Sequence, residues 1–244
     1  MVRNLLTIWR RELAACFLSP IAYVTMVAFL GLSGWIFLQA AETNSGSVES
    51  LEVLLFMSIF FWIPILTTVI SMRLFAEENR SGSIEALMTA PVTDLDVVLG
   101  KYAGGLSFLF IAVFPSVGFI FLLQLFSPGI TFIDVGGIWG GCVGLVLISA
   151  ATMAIGTLVS LLTRNQIVAA ICTLCAAFGP FFIKPLVSVL PIGSEKALDY
   201  LSIETHIMDF ARGSIDTRPL VLYVSFTVLL LFITVRVLEI RRWK

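Results

Sequence analysis

Six long apolar stretches restrict the fold of this sequence more than any other feature. They cover residues 20–41, 51–72, 102–126, 135–162, 166–183 and 219–238. A helix needs about 20 mostly apolar residues to cross the hydrocarbon core of a bilayer. The composition agrees, because 59% of the 244 residues are hydrophobic and 13% are charged, whereas soluble domains carry about 25% charged residues. The sequence therefore predicts an all-α integral membrane protein, one domain over residues 1–244 with six transmembrane helices.

Several classes of protein are disfavoured by the same composition. The stretches lack the strict alternation of a membrane β-barrel. The formal net charge of −1 gives no basic excess, so the expected surroundings are a lipid bilayer and not a nucleic acid. Cys172 and Cys175 form a CxxC pattern inside an apolar stretch. Without a second cysteine pair or a histidine nearby, packing is favoured there over a redox or metal role.

The distribution of basic residues predicts the orientation in the membrane. Six crossings put both termini on one side, and 11 of the 15 Lys and Arg residues fall on that side. Lysine and arginine concentrate in cytoplasmic loops, so both termini are predicted to be cytoplasmic.

Residues 1–18 precede the first apolar stretch and have their own pattern. One face carries Val2, Leu5, Trp9, Leu13 and Cys16, and the other carries Arg3, Asn4, Thr7, Arg10 and Arg11. This spacing predicts an amphipathic interfacial helix, with Trp9 as its membrane anchor and Arg10 and Arg11 toward anionic lipid head groups. A helix that simply continues into the first span is the alternative, and Ser19-Pro20 favours a separation of the two.

The residue pattern predicts a short helix within the cytoplasmic segment 73–101. Ser83 is a candidate start and Pro91 a stop, while Thr93 or Asp94 can cap the helix that follows. Three residues of this short helix share an apolar face: Ile84, Leu87 and Met88. A short helix with one apolar face suits docking into a groove of a partner protein. A solvated connector between two spans explains the pattern equally well.

The last polar segment, residues 184–218, is predicted to be external. Its apolar residues are too few to span a membrane and suit short surface or re-entrant helices. His206 lies near Glu204 and Asp209, which is a candidate metal cluster, although a solvated histidine is the favoured interpretation. In the fourth span, the glycines at four-residue steps indicate close helix packing; we favour packing within the chain over contact between two copies. Pro64 and Pro115 are expected to kink their helices.

A motif in the cytoplasmic segment resembles a known family. The residues are Ala76-Glu77-Glu78-x-Arg80-x-Gly82-x-Ile84-Glu85-x-Leu87-x-x-x-Pro91-Val92, followed by Gly100-Lys101. Together with six spans and Ser19-Pro20-Ile21, they resemble the permeases of the type-2 ABC exporter superfamily, most of all those of gliding motility and nitrous-oxide-reductase maturation. The resemblance implies a bacterial inner-membrane location and short external helices between the last two spans. It also implies a homo- or heterodimer of permeases, each bound to a separate ATPase subunit.

The resemblance also assigns roles within the motif. It makes the segment a coupling helix that receives motion from the ATPase. Glu77, Glu78 and Glu85 would contact the ATPase or lock the coupling helix to the arginines of the interfacial helix, with Arg80 as a nearby charge. Gly82 would permit a tight turn, Ile84, Leu87 and Met88 would enter a groove of the ATPase, and Pro91 would end the helix.

No phosphate-binding G-x-x-x-x-G-K-[ST] loop occurs in the sequence. We therefore expect no enzymatic activity and no cofactor in this chain, with ATP and Mg²⁺ bound by the partner. Few ionisable residues lie deep in the spans, which disfavours a proton-coupled transporter. The sequence has no H-E-x-x-H motif for a zinc protease. A membrane scaffold that transmits ATPase motion to a motility or maturation complex, without transport, remains the alternative function.

Overall fold

The protein is described by a computed structural model that covers residues 2–43, 51–83, 92–126, 134–182 and 202–242. These residues fold into α-helices and one 3₁₀ helix. In chain order they are α1 (Val2–Phe17), α2 (Pro20–Thr43), α3 (Leu51–Phe60), α4 (Ile63–Leu74), α5 (Ala76–Ser81), α6 (Asp94–Val117), α7 (Phe119–Phe126), α8 (Val135–Leu162), α9 (Gln166–Phe178), the 3₁₀ helix Gly179–Phe182, α10 (Ile203–Ala211) and α11 (Thr217–Arg242).

Five helical segments within the described part of the chain are long and apolar enough to cross a membrane. They are Pro20–Thr43, Leu51–Ser81, Asp94–Leu125, Val135–Leu162 and Thr217–Arg242. The predicted span 166–183 corresponds to a shorter apolar helix, Gln166–Phe182. Its α-helical part ends at Phe178, and the chain tightens to 3₁₀ geometry at Gly179-Pro180. Proline has no N–H group to continue the helical hydrogen bonds.

Both prolines that were expected to disturb spans lie next to a break in a helix. Phe61 and Trp62 separate α3 from α4, and Pro64 stands at the start of α4. Pro115 lies in the last turn of α6, and Gly118 separates α6 from α7. A proline is tolerated in the first turn of a helix but removes one backbone hydrogen bond further in.

The centre of the bundle is α8, which is buried over most of its length. A Cβ atom on Gly140 would overlap the carbonyl oxygen of Phe210 in α10, and one on Gly141 would overlap the ring of Phe56 in α3. The glycines therefore allow close packing within the chain, as favoured from the sequence. By contrast, α2 and α11 expose most of their apolar side chains, as expected of helices that face lipid.

The N-terminal helix α1 packs lengthwise on the first turns of α6. A Cβ atom on Gly100 would come within 2.8 Å of Ile8, and one on Gly104 within 2.7 Å of the Glu12 side chain. Phe17 makes an edge-to-face contact with Phe108 further along α6. The bare backbone at these glycines lets the two helices approach closely.

Two α1 residues with predicted membrane roles also contact the protein. The indole N–H of Trp9, the predicted membrane anchor, donates a hydrogen bond to Ser107 of α6 at 3.0 Å. Arg11, predicted to point toward lipid head groups, binds carboxylates of the protein and is exposed, as is Arg10. The roles of these residues at a lipid surface stay predictions.

Candidate functional site

The structure describes only part of the predicted coupling segment. It places Glu77, Glu78, Arg80 and Gly82 in or directly after α5. The other predicted residues lie outside the described residues, and their roles stay predictions: Ile84, Glu85, Leu87, Met88 and Pro91. The candidate site is therefore α5 and the groups that hold it.

The start of α5 is fixed by a hydroxyl group of α8. The chain leaves helical geometry at Phe75, which separates α4 from α5. The backbone N–H groups of Phe75 and Ala76 both donate to Oγ of Ser160, each at 3.1 Å. Both residues are completely buried. The first N–H groups of a helix have no partner within it, so the serine satisfies donors that would otherwise be buried without one.

A buried lysine joins α5 to two other helices. Lys101 of α6 is 1% exposed, and its Nζ lies 2.8 Å from Oε1 of Glu12 in α1 and 2.9 Å from Oε1 of Glu78 in α5. It also donates to the carbonyl oxygen of Leu74 at 2.7 Å. Glu12 and Leu74 thus accept hydrogen bonds from the ammonium group, and Glu78 adds an ion pair. The ring of Phe75 lies 5.2 Å from Nζ and adds a cation–π contact.

Arg11 of α1 completes this group of charges. Its Nη2 lies 3.1 Å from Oε1 of Glu12 and 2.7 Å from Oε1 of Glu78. Burial alone would lower the pKa of Arg11, but the hydrogen bonds and charges of the two glutamates raise it above its usual value. Arg11, Glu12, Glu78 and Lys101 are called the charge cluster below. Two cations face two carboxylates, so the charges balance; Lys101 lies at the buried end of the cluster and Arg11 at its exposed end.

The pairing of Glu78 with Arg11 is a contact of the kind that the resemblance implies, between an acid of the motif and an arginine of α1. Its other partner, Lys101, was expected to end the cytoplasmic segment 73–101. Instead, α6 begins at Asp94, seven residues earlier, and Lys101 is enclosed by protein. Thr93 caps α6 as predicted, because its hydroxyl oxygen accepts a hydrogen bond from the N–H group of Asp96.

Asn79 holds the opposite side of α5. Its Nδ2 donates to the carbonyl oxygens of Leu161 and Thr163 at 3.1 and 3.0 Å. These carbonyls belong to the end of α8, where a helix leaves its last acceptors unpaired. The side-chain oxygen of Asn79 accepts a bond from Arg241 of α11 at 3.3 Å. One side chain thus connects α5 to two transmembrane helices.

The remaining motif residues face outward or form the turn. Glu77 and Arg80 are exposed. Gly82 caps the end of α5 with a φ angle of +74°, a conformation that costs glycine little and other residues much more. Its predicted role at the entry to the coupling helix stays a prediction, because residues 84–91 lie outside the described residues.

Sequence reasoning missed the residues that hold α5: Glu12, Asn79, Lys101 and Ser160. One signal was present in the sequence, because Lys101 lies between Gly100 and Gly104 at the start of an apolar helix. A lysine among glycines in such a helix indicates a close neighbouring helix that could bury it. The sequence does not show that Glu12, 89 residues away, belongs to that neighbour.

The other end of the bundle is where the candidate metal residues lie. His206 is 4% exposed, and its Nδ1 lies 3.0 Å from the hydroxyl oxygen of Tyr223 in α11. The expectation of a solvated histidine is therefore wrong, because α10 packs against α3 and α8 with His206 on its buried side. Among the described residues, no group of three or more His, Cys, Asp or Glu side chains is placed to hold a metal ion.

A comparison with protein-family models decides the family. Residues 9–179 match the model described as ABC-2 family transporter protein. The chain belongs to the ABC-2 transporter family. The match begins in α1 and ends after α9, so it includes α5 and the whole charge cluster. No curated protein matches the chain.

Family membership establishes the general nature of the protein. ABC-2 family proteins are membrane components of ABC transporters, so the chain is a multi-pass permease component. Membership also implies a partnership with an ABC ATPase subunit.

Proposed function

We propose that the chain is the permease subunit of an ATP-driven ABC exporter and that α5 passes the motion of the ATPase to the membrane helices. The observation that carries this proposal is the enclosure of Lys101 between Glu12 and Glu78. Through this contact, the element next to residues 84–91 is tied to α1 and α6 by charges that are sheltered from water.

The contacts of α5 suit an element that transmits force. Ser160 and Asn79 attach it to α8, Glu78 attaches it to α1 and α6, and Arg241 attaches it to α11. A partner that displaces residues 84–91 therefore pulls on an element with links to three spans. Packed helices respond to such displacement by shifting as units between discrete arrangements.

The positions of the start of α2 and the end of α11 support the predicted topology. Arg73, at the end of α4, donates to Ser19 just before α2, and Arg241 near the end of α11 contacts Asn79. The start of the first span and the end of the last span thus lie at the same end of the bundle, next to α5. An even number of crossings is needed for this arrangement. The five long segments therefore call for one more crossing, for which the apolar helix Gln166–Phe182 is the candidate. This supports six spans, with both termini on the same side of the membrane.

The finer assignments follow from the resemblance of the motif to gliding-motility and nitrous-oxide-reductase-maturation permeases. They include export as the direction of transport, a dimer of permeases and a bacterial inner membrane. The concentration of Lys and Arg at one face supports the cytoplasmic location of α5.

The proposal is tested by purifying the tagged chain in mild detergent, identifying its ATPase partner and measuring ATP hydrolysis by the complex in membranes. Glu78→Gln should keep the partner bound but reduce the stimulation of its ATPase by the permease. Glu239→Gln is the matched control, because Glu239 makes an exposed ion pair with Arg236 on α11. Glu85→Lys should abolish the stimulation and leave membrane insertion intact.

The outcomes separate the two functions. Purification without an ATPase, under conditions that keep other ABC complexes intact, would contradict the permease assignment. Stimulation that is the same for Glu78→Gln, Glu239→Gln and the unmodified chain would remove α5 from the transmission path. A bound ATPase that responds to a motility or maturation component but to no transported compound would favour the scaffold.

A further inference from the structure

A partly open cavity of about 340 Å³ lies where α1, α2, α4 and α5 meet. It is in the lower range for pockets that bind small molecules. Cys16 of α1, Ile21 of α2 and Ile70 of α4 form part of its apolar wall, whereas Arg73 and Glu77 contribute charge. The cavity therefore offers an ionic region and an apolar region to one ligand.

In the ionic region, one guanidinium group and one carboxylate group can each bind a further partner. In the described part of the chain, the contact made by the Arg73 guanidinium is a hydrogen bond to the hydroxyl of Ser19, which also lines the cavity. Oε1 of Glu78 binds Lys101 and Arg11, but Oε2 is buried and has no hydrogen-bond partner among the described residues. A buried carboxylate oxygen without a donor is costly, so a ligand that supplies an N–H group is favoured here.

The position of the cavity points to a lipid. It lies beside Ser19-Pro20, where α2 begins its crossing, and Ile21 both lines the cavity and is exposed outside it. The neighbouring Val24 and Val27 on α2 are also exposed and apolar. A lipid can place its head group in the cavity and its acyl chains along this face of α2.

We propose that this cavity binds the phosphoethanolamine head group of a membrane lipid. Arg73 and the Ser19 hydroxyl bind the phosphate, while Glu77 and Oε2 of Glu78 accept hydrogen bonds from the ammonium group. Phosphocholine carries a positive charge but has no N–H group to donate. Phosphoglycerol has no cation at all. The site therefore discriminates between lipids by the donors of their head groups.

This inference is independent of the proposed export function. It makes the bilayer itself a ligand at the junction of α1 and α5, and it can be tested with the permease alone. Cys16 supplies the reporter, because it lies in the cavity wall. A chain with Cys142, Cys172 and Cys175 replaced by alanine leaves Cys16 as the one thiol.

The experiment measures the rate at which a small methanethiosulfonate reagent modifies Cys16 at pH 8 in nanodiscs. The discs contain phosphatidylcholine alone, or phosphatidylcholine mixed with phosphatidylethanolamine or with phosphatidylglycerol. Charge-assisted hydrogen bonds should hold the phosphoethanolamine head group in the cavity, where it blocks access of the reagent to Cys16. Phosphatidylethanolamine should therefore slow the modification about tenfold. The other two compositions should give equal, faster rates.

Variants of the wall provide the second arm. Glu77→Gln should reduce the protection strongly, and because Glu77 is exposed this variant should fold normally. Arg73→Gln should remove the protection as well. Arg80→Gln is the matched control, because Arg80 is exposed at the end of α5 and is absent from the residues that line the described cavity. It should keep the full effect of phosphatidylethanolamine.

Three results would overturn the proposal. Equal rates of Cys16 modification in all three lipid compositions would show that the head group is not recognised. Protection that survives both Glu77→Gln and Arg73→Gln would place the lipid elsewhere. Protection by soluble phosphoethanolamine in phosphatidylcholine discs, with none from phosphatidylethanolamine, would identify a soluble ligand in place of a lipid.

Discussion

At one end of the helix bundle, charged side chains hold α5 to α1 and α6, whereas at the other end α10 packs so closely on α8 that glycines of α8 lie directly against Phe210. Lys101 makes three polar contacts in the first region. In the second region, Gly140 lies directly against the backbone at Phe210. The first region is held by ion pairs and the second by close packing, so the helices in the two regions resist displacement in different ways.

The difference concerns what each region can do. Close packing of backbones has one arrangement, because any added volume must displace a helix. A charge cluster depends on direction and partner, and it can exchange one carboxylate for another when a helix moves. We infer that the end with α10 fixes the bundle and that the end with α5 is built to respond to a partner. Each prediction below alters one of these two regions.

The largest effect is expected from Lys101→Met. This change leaves the buried Glu12 and the partly buried Glu78 with Arg11 as their remaining cation. Removal of one partner from a buried ion pair costs about 3–5 kcal/mol. Thermal unfolding in detergent, followed by loss of the monodisperse peak in size-exclusion chromatography, should show a large decrease in stability.

The controls for Lys101→Met separate burial from charge. Arg236→Gln breaks an exposed ion pair on α11, and such pairs contribute about 0–1 kcal/mol. The triple variant Glu12→Gln, Glu78→Gln, Lys101→Met should be more stable than Lys101→Met because no carboxylate is left unpaired. Equal unfolding temperatures for Lys101→Met and Arg236→Gln would show that the cluster does not hold α5.

The second prediction concerns the tightly packed end. In Gly140→Ala, the new methyl group would overlap the carbonyl oxygen of Phe210, and overpacking of this kind costs about 1–3 kcal/mol. Gly31→Ala in α2 is the control, since nothing lies within 4 Å of the position of its Cβ. Glycine is a poor helix former, so this control should be unchanged or slightly stabilised. Equal stability of the two alanine variants would contradict the close approach of α10.

The sequence predicted the second region better than the first. The bounds of α8, residues 135–162, agree with the predicted fourth span, because Asp134 caps its start and polar residues follow its end. The glycines of α8 were also correctly assigned to packing within the chain. Hydrophobicity and turn residues are local signals, and they carried these predictions.

The charge cluster could not be predicted in the same way. Its members come from three helices that are far apart in the sequence, and periodicity assigns a residue to a face without naming the helix that covers it. Glu12 lies next to Arg11 on α1, yet it points toward α6 because Gly100 and Gly104 allow the helices to meet. The weakest prediction was the fifth span, since the apolar pattern of residues 166–183 does not show where α-helical geometry ends.

The third prediction tests the link between α5 and α8. Asn79→Ala removes two hydrogen bonds to the carbonyl oxygens that end α8 and one from Arg241. The expected cost is about 1–3 kcal/mol, because polar groups that are partly buried lose their partner. Asn79→Asp should be similarly unfavourable, since a carboxylate cannot donate to those carbonyls. In a complex with the ATPase, both variants should also reduce the stimulation, and normal stability with normal stimulation would remove Asn79 from the link.

The smallest effect is expected from Cys16, which reports on the charge cluster without supporting it. Burial, reinforced by the charge of Glu12 and partly offset by Arg73 and Lys101, raises the pKa of the Cys16 thiol to about 11. The thiolate is the reactive form, so a raised pKa means little thiolate at neutral pH. The measurement uses the chain in which Cys142, Cys172 and Cys175 are replaced by alanine, because Cys172 and Cys175 are exposed and would react first. Alkylation of Cys16 by iodoacetamide should increase about tenfold per pH unit from pH 7 to pH 10 and level off only near pH 11.

Glu12→Gln removes a negative charge that disfavours the thiolate, so it should shift this profile to lower pH, whereas Arg236→Gln on α11 should leave it in place. A profile that levels off near pH 9 in the chain with Cys16 alone would show that Cys16 is open to water, and that α1 is not packed on α6 as described.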